Sequence, residues 1–387
     1  MNRRTSRSAI IAAVALAQGI LAGSVFLRMA RTANGVRVRA MDDEGLSGGL
    51  VSILIPVLNE AHRLAPCLEG ATAQGREVAE ILVIDGGSTD GTRELVEHHA
   101  SLDDRIRLVD ASPVPAGVNG KAYGLQVGVS QGDPSSAWLL TLDADVTPHS
   151  LLARSLVAHA RAEDVPALSI ASQQRLSGAA EGILHPAMLT TLVYRFGIPG
   201  QATDRVDAVQ ANGQCMLIAR EALDAVGGFS HGLTSVNEDV TVARAIVASG
   251  RRVGFYESEG LVSVQMYAGW REAWNNWTRS LPMRDRFAGS AGTRGLAEVL
   301  CVQALPPGLA VYAWRFLGKK HPFTVLNLAL TMARFGVLQG TARAYRPRPW
   351  TYWLSPVADL LVALKLIVVS RQKRHQWRGR TIVTGEP

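Results

Sequence analysis

Two carboxylates separated by one residue are the most chemically suggestive feature of this 387-residue sequence. Asp143 and Asp145 follow an apolar run that begins at Ala137 and predicts a buried strand. In the turn after such a strand, both carboxylates can bind one divalent cation. Mg²⁺ and Mn²⁺ prefer oxygen ligands of this kind and usually also bind phosphate oxygens. We therefore predict a Mg²⁺ or Mn²⁺ site that neutralises a leaving diphosphate, with a solvated turn as the alternative.

Two further acidic segments are candidates for binding and catalysis. Asp85 opens the segment Asp-Gly-Gly-Ser-Thr-Asp-Gly, whose small residues allow a nucleotide to approach the backbone closely. Glu238 and Asp239 precede a predicted helix at 240–249, where a held carboxylate can act as a general base. A polar turn in the first case, and stabilisation of a helix N-terminus in the second, are the structural alternatives.

A tryptophan-rich segment and two basic side chains complete the candidate set. Trp270, Trp274 and Trp277 are spaced four and three residues apart, which places them on one face of a predicted helix. Arg279 in the same segment and the distant Lys121 are candidate diphosphate ligands. An aromatic stripe in the core or at a membrane interface is the alternative for the tryptophans.

The elements that must position these residues form an α/β pattern. Short apolar runs at Val51–Pro56, Ile81–Asp85 and Ala137–Asp143 alternate with helix-like stretches such as Glu60–Gln74 and Gly91–Ser101. This alternation predicts a mostly parallel sheet with helices on both faces. Ligands bind at the carboxyl ends of the strands in such sheets, and the acidic residues follow those ends here.

The chain as a whole has the composition of a membrane-associated protein, since only 19% of its residues are charged and 47% are hydrophobic. Ala9–Leu27 follows a basic head, and we interpret it as an anchor, with a cleaved signal peptide as the alternative. Three later apolar stretches are Leu296–Leu317, Phe323–Tyr345 and Leu354–Ser370. They fit spanning, re-entrant or interfacial helices. A basic tail follows, with Arg371, Lys373, Arg374, Arg378 and Arg380.

Charge and cysteine content limit the kinds of partner and the cellular compartment that fit this sequence. The net charge of +7 is concentrated at the two ends beside apolar segments, which favours an anionic membrane surface. The sequence carries none of the usual nucleic-acid-binding signatures, so we expect no nucleic-acid partner. Cys67, Cys215 and Cys301 are widely spaced and predict neither a disulfide framework nor a metal cluster. This composition suits a catalytic part in a reducing cytosol.

Taken in order, these motifs resemble the family 2 glycosyltransferases, which have the GT-A fold. The similar segments are Val51–Glu60, Val83–Thr92, Asp143–Asp145, Asn212–Cys215, Val226–Phe229 and Glu238–Asp239. Within the family, the sequence is similar to the membrane-associated branch that includes ceramide glucosyltransferase and bacterial carotenoid and hopanoid glycosyltransferases. It differs in having Gly86 where the family has a second Asp, and in lacking the Gln of the family's late Gln-x-x-Arg-Trp motif.

The resemblance implies roles for the candidate residues. It assigns the nucleotide sugar to Pro56, Asn59, Glu60, Asp85, Lys121, Asp143 and Arg279. It assigns the metal to Asp143 and Asp145, and the catalytic base to Asp239 with Glu238 beside it. It places the acceptor beside Asn212, Gly213, Gln214, Trp274 and Trp277.

The expected reaction is inverting transfer of a sugar, with UDP-sugar as the expected donor, to a hydroxyl on a membrane lipid such as a sphingolipid, carotenoid, hopanoid or glycerolipid. The alternatives are a polyisoprenyl-phosphate glycosyltransferase, a processive polysaccharide synthase and an inactive lipid-binding scaffold.

The predicted organisation has four parts: an anchor at residues 1–30, a catalytic domain at 50–288, membrane-associated helices at 289–370 and a basic tail at 371–387. We expect a multi-pass protein of the cell membrane whose catalytic domain is cytoplasmic.

Overall fold

The computed structural model describes residues 3–41, 49–283, 285–287, 291–372, 374–377 and 380–383. The strands are β1 Arg37–Val38, β2 Val51–Val57, β3 Val78–Asp85, β4 Ile106–Asp110, β5 Trp138–Leu142, β6 Val146–Pro148, β7 Ala167–Ala171, β8 Gln173–Gln174, β9 Gln201–Thr203, β10 Cys215–Ala219, β11 Val253–Ser258, β12 Val262–Val264, β13 Arg374–Trp377 and β14 Arg380–Val383. The α-helices are α1 Arg3–Thr32, α2 Ala65–Thr72, α3 Thr92–Ala100, α4 Gly120–Gln131, α5 Leu152–Ala162, α6 Ala179–Phe196, α7 Arg220–Asp224, α8 Glu238–Ala248, α9 Trp270–Ser280, α10 Ala291–Glu298, α11 Pro306–Leu317, α12 Pro322–Thr341 and α13 Asp359–Val369. Short 3₁₀ turns lie at Val206–Ala208, Ser230–Gly232, Ala342–Ala344 and Trp350–Ala358, and a π-helical segment at Val299–Ala304.

The central sheet confirms the predicted α/β class. Its order is β1-β11-β7-β10-β5-β2-β3-β4, with β9 beside β11. β10 runs antiparallel to both β7 and β5, while the other pairs along this order are parallel. The strands are apolar on both sides because both faces are covered. Ile53 and Ile55 pack into one core, and Leu54 and Leu82 into the other.

The predicted strands are present, and one further strand of the sheet lies outside the expected catalytic domain. The stretch between the predicted anchor and the predicted catalytic domain completes α1 at Thr32 and then supplies β1, which pairs with β11. The sheet therefore begins before the expected domain boundary at residue 50, because a two-residue edge strand is too short to show periodicity. The expected boundary between residues 288 and 289 lies outside the described residues.

A helical bundle packs beside the sheet. It combines apolar helices from the N-terminal and C-terminal parts of the described chain. Its apolar core draws on α1, α6, α9, the π-helical segment, α12 and α13. Buried polar pairs also lie inside it: for example, Gln18 donates to Asn327 at 3.0 Å, and Arg334 forms a fully buried ion pair with Asp359 at 2.7 Å. Buried pairs of this kind fix which helix faces meet more than they add stability.

Length and composition qualify two described helices to cross a membrane, Ser8–Thr32 and Trp350–Val369. Gly292–Ala304 and Pro306–Leu317 qualify together, but they meet at a bend of 50°. These segments correspond to three of the four predicted apolar stretches. The remaining stretch, Phe323–Tyr345, forms α12, which is not among the helices of the described chain that qualify as membrane spans. In the predicted basic tail, β13 and β14 form a hairpin, and Lys373 and Arg378 lie outside the described residues.

Candidate functional site

A cavity of about 780 Å³ opens at the carboxyl ends of β2, β3 and β5. Its wall continues along α6, α8 and α9 and ends at residues 340–344, where α12 ends. The cavity therefore joins the polar edge of the sheet to the helical bundle. The predicted site residues that line it are Pro56, Asn59, Glu60, Lys121, Asp143, Asp145, Asn212, Gly213, Gln214, Glu238, Asp239, Trp277 and Arg279.

Asp143 and Asp145 come directly after β5, as expected, and both line the cavity. One oxygen of Asp145, Oδ2, lies 3.7 Å from the Arg63 guanidinium. Its other oxygen, Oδ1, is buried and has no hydrogen-bond partner within the part of the chain that the structure describes. A buried carboxylate oxygen without a partner is costly, and a cation would satisfy it.

The donor atoms here fit a divalent cation that also binds its substrate's phosphates. No group of three or more His, Cys, Asp or Glu side chains suited to a metal occurs among the described residues. Mg²⁺ and Mn²⁺ do not require one, since such ions are commonly held by one or two carboxylates together with substrate phosphates and water. Asp143 and Asp145 supply that smaller set.

Lys121 connects the two acidic parts of the cavity. Its ammonium lies 2.6 Å from Asp143 Oδ1 and 2.8 Å from Glu238 Oε1, and it donates to the carbonyl of Gly213 at 3.2 Å. Burial alone would lower the pKa of Lys121, but the surrounding carboxylates raise it above its ordinary value, so the ammonium stays charged. The two carboxylates would repel each other without this cation.

Asp239 lies on the same wall and is held by backbone amides. Its Oδ2 accepts from Gly213 N at 2.6 Å and its Oδ1 from Val240 N at 2.8 Å. Burial raises the pKa of Asp239 to about 7, and the charge of Glu238 adds to this effect. Asp145 behaves similarly, because burial and the charge of Asp143 raise its pKa to about 7. A carboxylate with a pKa near neutrality is suited to proton transfer.

The antiparallel direction of β10 explains how Asn212, Gly213 and Gln214 reach this site. Cys215, the first residue of β10, pairs with Leu142, the last residue of β5. The segment before β10 therefore lies at the edge where β5 ends, and Asp143 N donates to Gln214 O at 3.2 Å. Asn212 donates to the carbonyl of Ile170 at 2.9 Å, which fixes the segment against β7.

The loop after β3 is fixed by mutual hydrogen bonds with the loop after β2. Asn59 has a positive φ of 56°, donates its backbone N–H to Ser88 Oγ at 2.8 Å, and accepts from Thr89 N at 2.8 Å. Asp85 is not among the residues that line the cavity, and its expected nucleotide contact stays a prediction. Its buried carboxylate accepts from Ser88 N at 3.0 Å and pairs with Arg93 at 2.9 Å, so it shapes the loop, while Gly86 faces the cavity.

The tryptophan-rich segment is helical, as predicted, but its tryptophans have different surroundings. Trp277 is buried and lines the cavity together with Arg279. Trp274 does not line the cavity; it packs in the bundle, with the ammonium of Lys365 5.5 Å from its ring. Trp270 is exposed. The acceptor contact expected of Trp274 stays a prediction, since helical spacing cannot show which neighbour covers each side chain.

Two residues near the site were not expected from the sequence. Arg63 pairs with Glu60 and lies beside Asp145. Asn119 caps α4 through its side chain, which accepts from Lys121 N at 2.9 Å, and its amide donates to Glu238 Oε2 at 3.2 Å. Asn119 directly precedes α4, and Asn is a favoured residue at that position because its side chain accepts from the first backbone amides of a helix.

Gly213 leaves no room for a side chain. A Cβ at this position would lie 2.7 Å from Lys121 Nζ and 3.1 Å from Asp239 Oδ2. We predict that Gly213→Ala displaces the ammonium and lowers the free energy of unfolding by about 1.5–3 kcal/mol, the value of hydrogen bonds to charged groups. Thermal melting of the purified protein measures this.

Gly86→Ala is the matched control, because it adds the same methyl group to another cavity-lining glycine. Its Cβ would lie 3.5 Å or more from other atoms, an ordinary contact distance. We expect this variant to melt within about 1 °C of the wild type, since uncrowded surface changes have small effects. Equal melting temperatures for the two variants would contradict the crowding at Gly213.

Comparison with known proteins supports the resemblance. The sequence profile named Glycosyl transferase family 2 matches residues 52–227. Glycosyltransferase AglE of Haloferax volcanii is 34% identical over 101 residues, which are 26% of this chain and 31% of that protein. Succinoglycan biosynthesis protein ExoA of Rhizobium meliloti is 26% identical over 225 residues, 57% of this chain and 65% of that protein.

The fold itself is found in a solved structure, the mannosyltransferase PcManGT from Pyrobaculum calidifontis in complex with GDP-Man and Mn²⁺. It is 19% identical, covers 94% of this chain and 100% of that chain, and has a TM-score of 0.55. The matched profile identifies residues 52–227 as a family 2 glycosyltransferase domain, and the solved structure shows that the chain has the GT-A fold.

Proposed function

We propose that this protein is an inverting glycosyltransferase that moves a sugar from a nucleotide-diphosphate sugar to a hydroxyl on a membrane lipid. One observation carries the proposal. Three carboxylates line one cavity. Asp143 and Asp145 suit a divalent cation, and Asp239 is held by backbone amides. This is the combination that a displacement at an anomeric carbon requires, with one end for a leaving diphosphate and another for an acceptor proton.

The donor binds at the strand ends. Asn59, Glu60 and Gly86 line that part of the cavity and approach the nucleoside, while Lys121 and Arg279 attract the diphosphate. Asp143 and Asp145 hold a divalent cation, which neutralises charge on the diphosphate when bound. The Mn²⁺ and GDP-Man of the structurally similar mannosyltransferase support this class of donor and cofactor. We propose a UDP-sugar as the donor.

The acceptor hydroxyl approaches Asp239 from the opposite side of the cavity. Asp239 removes the hydroxyl proton as the oxygen attacks the anomeric carbon, and the diphosphate leaves on the other face, which inverts the configuration. Backbone amides of Gly213 and Val240 hold the carboxylate in place for this transfer. Glu238 does not compete for the proton, because it is engaged by Lys121 and Asn119.

The far end of the cavity suits the apolar part of a lipid. Leu189, Leu192 and Val193 of α6 and Trp277 of α9 line it, and the wall ends where α12 ends. The bundle beside it contains the two helices that qualify as membrane spans. We propose that these helices hold the enzyme in the cell membrane with the catalytic domain on the cytoplasmic side, where nucleotide sugars are made.

Metal-dependent nucleotide binding tests the donor end. We predict that UDP binds to the purified protein only in the presence of Mn²⁺ or Mg²⁺, and that Asp145→Asn weakens this binding at least about tenfold by removing one ligand charge. Isothermal titration measures both affinities, with GDP as the comparison nucleotide. Metal-independent binding, or equal affinity in the variant, would argue against the assigned metal site.

Loss of the Asp239 carboxylate tests the acceptor chemistry. We predict that Asp239→Asn lowers sugar transfer by about 10²-fold or more while nucleotide affinity is retained. Because the pKa of Asp239 is raised to about 7, its carboxyl is protonated below neutrality and cannot accept a proton. Wild-type transfer should therefore rise with pH through about 7, and this rise should be smaller in the variant, which keeps only Asp145 as a carboxyl with a similar pKa.

The assay incubates membranes with nucleotide sugars and lipid extracts and identifies products by mass spectrometry. Activity that survives in the Asp239→Asn variant would favour a phosphate acceptor, such as a polyisoprenyl phosphate, which needs no strong base. Products that carry many sugars would favour a processive synthase.

A further inference from the structure

A stack of three aromatic rings connects the cavity to the helical bundle. The His185 ring lies 4.3 Å from the Trp277 ring at an interplanar angle of 35°, and 5.5 Å from the Tyr345 ring at 89°. Trp277 lines the cavity, whereas His185 and Tyr345 are almost completely buried behind it. The stack is therefore built from α6, α9 and the segment after α12.

We infer that His185 and Tyr345 are positioning residues that hold the Trp277 indole in the cavity wall and so determine the affinity for the apolar part of the acceptor. This inference rests on the proposed function. It extends that function by naming two residues outside the cavity that set the affinity for the acceptor. Neither side chain lines the cavity. Their effect passes through Trp277.

The hydrogen bonding of His185 fixes the orientation of its ring. Its Nδ1 lies 3.0 Å from the Tyr345 hydroxyl, and Tyr345 also packs against Tyr352 at 5.1 Å. Burial lowers the pKa of His185 to about 3, so the imidazole is neutral and presents a flat face to the indole. Aromatic pairs in tilted or edge arrangements at these distances are stabilising.

The backbone of Tyr345 is itself fixed to the catalytic domain. Tyr345 forms a parallel bridge with Gln174, and Arg346 N donates to Gln174 O at 3.1 Å. Gln174 lies in the small sheet β6-β12-β8 and lines the cavity. The stack is thus attached at one end to this small sheet, and at the other end it forms part of the cavity wall. The indole cannot shift unless one of these contacts breaks.

The chemistry of the wall indicates the ligand. Leu189, Leu192 and Val193 lie on α6, the helix that carries His185, and they line the cavity beside Trp277. These side chains can bind a hydrocarbon chain but offer it no polar group. The acceptor affinity should therefore grow with hydrocarbon length, by roughly fourfold for each buried methylene, as long as the indole stays in place.

The test uses n-alkanols from butanol to octanol as acceptor probes for the full-length protein loaded with Mn²⁺ and UDP. Titrations at one constant detergent concentration give the affinity for each alkanol. For His185→Ala we predict octanol affinity about five- to tenfold below wild type, the size expected for a lost aromatic contact, and a flatter dependence on chain length. His185→Phe keeps a ring and should stay within about twofold of wild type.

His159→Ala is the matched control. His159 makes a similar ring contact with Tyr256 at 4.4 Å, and neither residue lines the cavity. We expect wild-type alkanol affinities for this variant, and Tyr345→Phe, which keeps the ring and loses the hydroxyl, should weaken octanol about two- to threefold.

The inference is overturned if His185→Ala binds octanol like the wild type, or if His185→Phe is as weak as His185→Ala. Metal-dependent binding of UDP is measured on each of the same samples. If a variant loses the dependence of alkanol affinity on chain length but still binds UDP, the defect lies in the aromatic stack alone. A wild-type protein that binds no UDP with Mn²⁺ would instead overturn the proposed function.

Discussion

The shared ammonium of Lys121 is the interaction on which the candidate site depends. It lies within hydrogen-bond distance of Asp143, at the metal side, and of Glu238, at the acceptor side. Two buried carboxylates can remain charged near each other only when a cation compensates them. Asn119 supports this arrangement from behind, because it caps the helix that carries Lys121 and also donates to Glu238. One side chain therefore couples the geometry of both ends of the site.

This constraint explains several otherwise unrelated features of the fold. The antiparallel β10 brings Gly213 to the end of β5, where its carbonyl accepts from Lys121 and its amide donates to Asp239. A side chain at Gly213 would occupy the space of the ammonium. The proposed acceptor end is built differently, since Leu189, Leu192 and Val193 of α6 and Trp277 of α9 supply apolar side chains there. Charged groups thus position the carboxylates proposed to react, and aromatic and aliphatic groups contact the proposed lipid.

Much of the sheet and the acidic set could be predicted from the sequence, because buried parallel strands are short apolar runs and the acids follow their ends. The metal-type pair after β5 and the acids that begin α8 lie where this pattern predicts. The surroundings of individual side chains could not be predicted. Asp85 pairs with Arg93 instead of lining the cavity, and Trp274 packs in the bundle while Trp277 reaches the cavity. The antiparallel direction of β10 and the contribution of β1 to the sheet depend on contacts between distant segments, which periodicity does not reveal.

A double-mutant cycle between Lys121 and Glu238 tests the central claim most directly. Free energies of unfolding in detergent would be measured for Lys121→Met, Glu238→Gln and the double variant. The shared-cation account predicts that Lys121→Met costs about 3 kcal/mol, because it leaves the buried Glu238 and the partly exposed Asp143 uncompensated. It also predicts that adding Glu238→Gln recovers about 1 kcal/mol or more of this loss, as coupled neighbours do. Costs that simply add, with no recovery in the double variant, would contradict the role of Lys121 as the cation that holds the two sides of the site together.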